Sequence, residues 1–474
     1  MPQKGVSMTN LSWWKKTCAV LLLCAATAIA SQAQTFTTLA SFNGTNGQAP
    51  FYVSLIQGPD GSLYGTTIGG GTNERGTVFR MTPSDSLKVL YSFCSQTNCA
   101  DGEQPEAGLV LDTDGNFYGT TGSGGSLSCP VFGTCGTVFK LTREGILTSL
   151  HSFSGLDGAI PLAPLVEALD GTLYGVTDAG GTGTSCPGGC GTAFEISSSG
   201  VLTSLHSFDF HVDGQAPNGP LLQAPNGSFY GTTLDCDCQQ GTQGTLFNMT
   251  ASGGVTTLYA GILDTRSGLI LGNDGNLYGT AGFGYVYKST LQGSVTTFAS
   301  VAGQPWAGLL QATDGNFYGT TIYGGDTNCD FPNGCGSIFQ VTQQGVVAVL
   351  HEFEQTDGSA PYGGLSQATN GKLYGTTAGG GANGDGTVYQ LDMGLAPFIA
   401  FVRAAGKVGQ TGGILGQGFT GTTSVSLNGI LASFTVVSDT FIRATVPSGA
   451  TTGYVTVTTP SGTLTSNVPF HVIP

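Results

Sequence analysis

One phrase returns seven times along the chain, and its spacing restricts the fold more than any other feature. Tyr-Gly-Thr-Thr or a close variant is built around Tyr64, Tyr118, Tyr174, Tyr230, Tyr278, Tyr318 and Tyr374. Successive tyrosines lie 54, 56, 56, 48, 40 and 56 residues apart, and a period of about 50 residues marks propellers or solenoids. Around each copy the chain reads as four short strands. An apolar stretch such as Gly108-Leu109-Val110-Leu111 comes first, and a turn follows, Asp114-Gly115 in that copy and Asn226-Gly227 or Asn370-Gly371 in others. Both dipeptides accept the positive φ of a tight hairpin. The Tyr-Gly-Thr-Thr phrase is the second strand. A Gly-rich loop leads to the third, as in Gly136-Thr137-Val138-Phe139, and Leu150-His151-Ser152-Phe153 illustrates the fourth.

The ends of the array decide between a ring and a rod. The seventh unit stops at Leu391-Asp392-Met393 without a fourth strand, while Leu39-Ala40-Ser41-Phe42 is a fourth strand without a unit. Joining them completes seven four-stranded sheets and protects their edges. A solenoid would need capping repeats instead. The expected fold is all-β: a seven-bladed β-propeller over residues 34–393, its N-terminal strand closing the last blade. In such a blade the second-to-third loops and the blade connections share one face, and the Asp-Gly hairpins occupy the other.

Pro397 begins a different pattern. Ser424-Val425-Ser426-Leu427, Thr440-Phe441-Ile442-Arg443-Ala444-Thr445 and Tyr454-Val455-Thr456-Val457 alternate apolar and polar residues between Gly and Pro punctuation. That alternation predicts short antiparallel strands packed as an immunoglobulin-like β-sandwich over residues 397–474.

Residues 1–33 read as an export signal: Lys15 and Lys16 precede an apolar run from Ala19 to Ala30, with Ser31-Gln32-Ala33 for cleavage. The run falls short of the roughly 20 apolar residues of a membrane span, and no second run of spanning length follows. Loss of Lys4, Lys15 and Lys16 takes the formal charge from −15 to −18, which opposes nucleic acid and anionic lipid as partners. Two of the twelve cysteines leave with the signal. The other ten form five close pairs: Cys94/Cys99, Cys129/Cys135, Cys186/Cys190, Cys236/Cys238 and Cys329/Cys335. An even count in close pairs indicates disulfides in an oxidising compartment, so the protein is expected to be secreted or held in the cell envelope. The weakest of the five is Cys236 with Cys238, since one intervening residue makes a strained ring. Zinc is the competing reading, but its four-ligand clusters would need these distant pairs to meet. All five pairs fall on the face of the long, variable loops.

Asp-Gly-Asn-Phe-Tyr-Gly-Thr-Thr, followed by Gly-Thr-Val-Phe and Leu-His-Ser-Phe, resembles the GloVer repeat of bacterial "choice-of-anchor" proteins, over about residues 36–393. From Pro397 to Val472 the chain is similar to IPT/TIG domains, through Gly416-Gln417-Gly418-Phe419 and a Val446-Pro447 before a Gly-Thr-rich hairpin. The first resemblance implies a secreted or envelope-associated bacterial protein and supplies no catalytic residues. The second implies a spacer or protein-interaction module.

No nucleophile–His–carboxylate set emerges from spacing. His151, His206 and His351 recur in one slot of the fourth strand, which points to packing. Trp306 lies beside Pro305 where most copies carry other residues, either as an aromatic platform for a ligand or as a hydrophobic plug. Asp101, Asp157, Asp213 and Asp357 repeat in Asp-Gly-x-x-Pro connections, with Asn46 in the N-terminal copy. They form turns, or, if they converge, offer Ca²⁺ the oxygen ligands it prefers. No other cofactor is indicated. The expected function is non-enzymatic binding of extracellular carbohydrate or protein by a disulfide-stapled loop face. The alternative is a metal-assisted lyase or lactone hydrolase at the channel mouth.

Overall fold

The computed structural model describes residues 34–473 apart from 130, 236–242, 263, 328 and 330–331. The export segment lies outside the described residues. The described residues are all-β except for one 3-10 turn at Thr97–Cys99. No helix among the described residues is long and apolar enough to cross a membrane.

Between Thr35 and Asp392 the strands make seven four-stranded antiparallel sheets. The first contains Ile56–Gln57, Leu63–Thr67, Thr77–Met81 and Leu87–Ser92 in that order. Five further sheets repeat it. The seventh takes Ser366–Gln367, Leu373–Thr377 and Thr387–Asp392, and its fourth strand is Thr35–Ser41 from the other end of the chain. Thr35 stands opposite Asp392, Phe36 opposite Leu391 and Ser41 opposite Thr387. Phe36 also stacks on His351 of the sixth sheet, with 3.7 Å between ring centroids. The seventh sheet in turn touches the first, where Gln57 Nε2 donates to Thr369 Oγ1 at 2.9 Å. The sheets therefore succeed one another around a closed circuit.

Each residue of the repeated phrase has its own task. The tyrosine packs between sheets: Tyr64 lies 4.2 Å from Phe117, Tyr174 4.3 Å from Phe229 and Tyr278 4.4 Å from Phe317. Its hydroxyl braces the hairpin, as where Tyr318 donates to Asp314 Oδ2 at 2.8 Å. The glycine sits beneath the aromatic ring of the paired third strand, and a Cβ on Gly319 would fall 2.5 Å from Phe339 Cζ. The first threonine reaches the next sheet: Thr66 Oγ1 donates to Ala107 O at 2.7 Å, and Thr280 Oγ1 to Ala307 O at 3.0 Å. The second threonine pairs across its own sheet, Thr67 Oγ1 lying 2.8 Å from Thr77 Oγ1. All four are buried on both faces of the strand, which explains why the phrase does not alternate apolar with polar.

The C-terminal part forms two four-stranded sheets over one core that includes Ile414, Phe419, Val425, Ile442, Val457 and Phe470. A parallel pair, Ala405–Lys407 with His471–Ile473, supplements the antiparallel strands. This unit sits on the hairpin face of the ring. Thr440 Oγ1 donates to Pro59 O at 2.8 Å, Gln417 Nε2 to Thr369 Oγ1 at 3.0 Å, and Arg403 Nη1 lies 3.3 Å from Glu167 Oε1.

The opposite face carries the four described disulfides, at Cys94–Cys99, Cys129–Cys135, Cys186–Cys190 and Cys329–Cys335. Four of the five expected bridges are therefore present among the described residues. The fifth expected pair is not among them: Cys236 and Cys238 both fall within 236–242, outside the described residues.

The close approach at the phrase glycine gives a direct check. Gly319→Ala should destabilise the chain by about 1–3 kcal/mol, as overpacking does, seen as a lower urea midpoint. An unchanged midpoint would contradict the packing described here.

Candidate functional site

The four repeated aspartates are each used up locally. Asp101 accepts from Tyr91 Oη at 2.7 Å and from the Ser95 amide at 2.9 Å. Asp157 lies 2.8 Å from His151 Nε2, Asp213 2.6 Å from His206 Nε2, and Asp357 3.0 Å from His351 Nε2. Each also accepts a backbone amide at its turn, from Ser154, Asp209 and Glu354. Burial would raise Asp157, but the His151 and Ser154 hydrogen bonds overcome it and hold the carboxyl below its ordinary range. These pairs tie each outer strand to its loop. They do not converge as the Ca²⁺ expectation required. Among the described residues the one group of three such ligand atoms within 4.8 Å is Cys94, Cys99 and Glu103, and its two sulfurs are already joined.

The residues that do converge stand elsewhere in the repeat. Each unit has a buried leucine just before its first strand: Leu55, Leu109, Leu165, Leu221, Leu269, Leu309 and Leu365. Three residues before it stand Tyr52, Glu106, Leu162, Asn218, Arg266, Trp306 and Tyr362, different in nearly every copy. All seven are partly buried. Six of them, all but Glu106, line one cavity of about 160 Å³. Residues from six different units can meet only at the axis of the circuit. The cavity lies on the disulfide face, because these lead-in segments bridge to the second-to-third loops at Glu103/Ser123, Ala159/Ala179 and Gln215/Asp235.

The phrase itself places them. Its first threonine bonds the carbonyl beside the variable residue of the next unit: Ala107 beside Glu106, Ser267 beside Arg266, Ala307 beside Trp306, Pro361 beside Tyr362 and Val53 beside Tyr52. In the third unit Val176 replaces that threonine, and the lead-in holding Asn218 lacks the bond's donor.

One wall is aromatic. Tyr362 stacks on Phe51 at 4.1 Å, and Tyr52 and Trp306 stand 5.8 and 5.9 Å from Tyr362. Arg266 Cζ lies 4.4 Å over the Trp306 ring, and its Nε donates to Asp264 Oδ1 at 2.8 Å. Trp306 is thus part of an aromatic and cationic wall. Burial and the neighbouring Asp178 push Glu106 up to about 7. Burial raises Asp178 too, against the opposing Asn218 amide and Arg266 charge. Asn218 Oδ1 and Trp306 Nε1 are buried and make no hydrogen bond among the described residues. Leaving such groups unpaired costs about 1–3 kcal/mol each, so the site carries polar capacity beyond what folding uses.

A larger cleft of about 810 Å³ separates the hairpin face from the C-terminal unit. Its one carboxylate, Asp314, is already bonded to Tyr318 and Asn316. The axial cavity holds the chemistry. Sequence reading singled out only Trp306 there. The available signal was the reverse of a motif: a fixed position where the repeats disagree.

A family model described as Gloeobacter/Verrucomicrobia repeat matches residues 26–235, 132–282 and 240–436. No curated protein matches. Solved structures similar to the chain include a putative gluconolactonase, at 11% identity and a TM-score of 0.40 over 77% of this chain and 94% of that one. A luciferin-regenerating enzyme gives 13% and 0.41 over 77% and 97%. A gluconolactonase from Xanthomonas campestris gives 14% and 0.38 over 62% and 89%.

The raised Glu106 has a stability consequence. Between pH 4.5 and about 7 the unfolded carboxyl releases its proton while the folded one keeps it, so stability falls as pH rises through that window. Glu106→Gln should relieve the penalty, and its melting-temperature advantage over the parent should grow from pH 4.5 to pH 8. A pH-independent difference would show that Glu106 is not held in this way.

Proposed function

The chain belongs to the Gloeobacter/Verrucomicrobia repeat family, and we propose that it is an exported, non-enzymatic carbohydrate-binding protein. In this reading residues 1–33 direct export, residues 34–393 are a seven-bladed β-propeller, and residues 397–474 are an immunoglobulin-like, IPT/TIG-type module. The module covers the hairpin face and leaves the stapled loop face open to a ligand at the cell surface or outside the cell.

The observation that carries the reading is the axial cavity lined by Tyr52, Arg266, Trp306, Tyr362 and Asn218. Aromatic faces suit the C–H surface of a sugar ring, while amide and guanidinium groups suit its hydroxyls. A cavity of about 160 Å³ accommodates a ring rather than a protein segment. Four disulfides restrain the surrounding loops, so less conformational entropy is lost on binding.

A second reading, hydrolysis at the same mouth, is favoured by one observation. Glu106 at about 7 lies in the range a general acid or base needs at neutral pH. Product formation that disappears in Glu106→Gln while binding persists would establish it.

With Trp13 and Trp14 in the export segment, Trp306 is the only tryptophan of the mature chain. Its fluorescence therefore reports on the cavity alone. Titration with oligosaccharides selected on a glycan array should change that emission, and Trp306→Ala should weaken binding at least about tenfold, or roughly 1.4 kcal/mol. Array binding that is indifferent to Trp306 would defeat the proposal.

A further inference from the structure

We propose that the axial cavity selects an acidic sugar, with Arg266 as the specificity-determining residue that takes the sugar carboxylate. The inference rests on the carbohydrate-binding reading above and narrows it to a chemical class.

Among the described residues Arg266 is the only cation lining the cavity. The other lining side chains are mainly apolar or aromatic, including Leu162, Pro164, Pro220 and Trp306. A carboxylate brought there loses water, and only a guanidinium or a set of hydrogen-bond donors offsets that loss. Arg266 is fixed for the task from two directions. Its Cζ lies over the Trp306 ring, 4.4 Å from the centroid, and Asp264 accepts from Nε at 2.8 Å. Tyr52 engages the same side chain. Because Asp264 holds the Nε edge, further N–H groups remain to form the paired bonds of an arginine–carboxylate contact. The side chain keeps 32% of its surface exposed, so it remains accessible.

Unit five departs from the other repeats in ways that serve this arrangement. Its lead-in, Asp264-Thr265-Arg266-Ser267-Gly268, replaces Asp-Gly-x-x-Pro. Asp264 sits in the left-handed region at φ 52°, as Gln104, Ile160, Ala216 and Ala360 do two residues before the variable position of their units, so the turn is kept while its residue becomes a carboxylate. After its second strand comes Gly282, where a Cβ would fall 2.2 Å from Asp264 Oδ2. Any larger residue there would displace the carboxylate that orients Arg266. Thr265 Oγ1 anchors the turn by donating to Thr233 O of the preceding sheet at 2.8 Å.

The remaining acids do not oppose an anion as their number suggests. Asp264 is committed to Arg266, and burial favours the neutral forms of Glu106 and Asp178.

The test compares short oligomers of galacturonate, glucuronate, mannuronate and guluronate with their methyl esters, which keep the ring and lose the charge. Sulfated oligosaccharides form a third arm. Binding is read on the full mature chain by Trp306 fluorescence and calorimetry. At least one uronate should bind ten or more times tighter than its own ester. Arg266→Gln should erase that preference, and Arg266→Lys should restore it only in part, since lysine keeps the charge without the planar fork. The acid-to-ester comparison needs no variant, so a variant that fails to fold does not remove the test. Equal binding of acid and ester, with Trp306 still required, would overturn the acidic-sugar inference and leave the carbohydrate reading standing. Binding confined to the sulfated arm would overturn the carboxylate assignment. Absence of any Trp306-dependent sugar binding would sink both.

Discussion

The pairing of Thr35–Ser41 with Thr387–Asp392 is the contact on which the remaining geometry depends. It joins segments more than three hundred residues apart and gives the seventh sheet its fourth strand. Without it the seventh sheet would expose the edge of Thr387–Asp392, and nothing would hold the last unit against the first. With it, the first strands of all units face a common axis. A difference in side chain at one repeated position then becomes a difference around one cavity. Phe36, stacked on His351 at 3.7 Å, anchors the closing strand to the sixth sheet as well as the seventh.

Structure and recognition are divided between neighbouring positions of the same repeat. The tyrosine, glycine and threonines of the phrase are committed to packing and to bonds between sheets. The first threonine also fixes the carbonyl beside the variable residue of the next unit. Identical scaffold residues thus hold dissimilar side chains at equivalent places. The cost falls where it is expected for a binding site: raised carboxyls at Glu106 and Asp178, and buried polar atoms at Asn218 and Trp306 without a partner among the described residues.

The repeat was plain in the sequence because each copy is made by local contacts. Tyr318 braces a hairpin four residues away, and Gly319 faces a ring on the adjoining strand. The complementary ends of the array were equally visible, since one lacked a strand and the other had one to spare. Close cysteine spacing revealed four bridges for the same local reason, while Cys236 and Cys238 lie outside the described residues. The cavity was hidden for the opposite reason. Its residues are spaced by whole repeats, and what marks them is disagreement among copies. The repeated aspartates drew attention through their regularity. Their regularity comes from local bonds to Tyr91, His151, His206 and His351, so they do not build a shared site. Arg266 escaped notice because unit five lacks the Asp-Gly-x-x-Pro frame that made most of the other lead-in segments recognisable.

Because every axial contact presupposes the closed circuit, closure is the claim to test most directly. Thr37 and Gln390 are opposed across the joining strands, at a separation that an antiparallel pair offers and a disulfide tolerates. Cysteines at both positions, expressed in an oxidising compartment, should form a cross-link that peptide mass spectrometry recovers as one species joining the two ends of the array. Two free thiols, or cross-links formed only between separate molecules, would contradict the closed ring and the axial site derived from it.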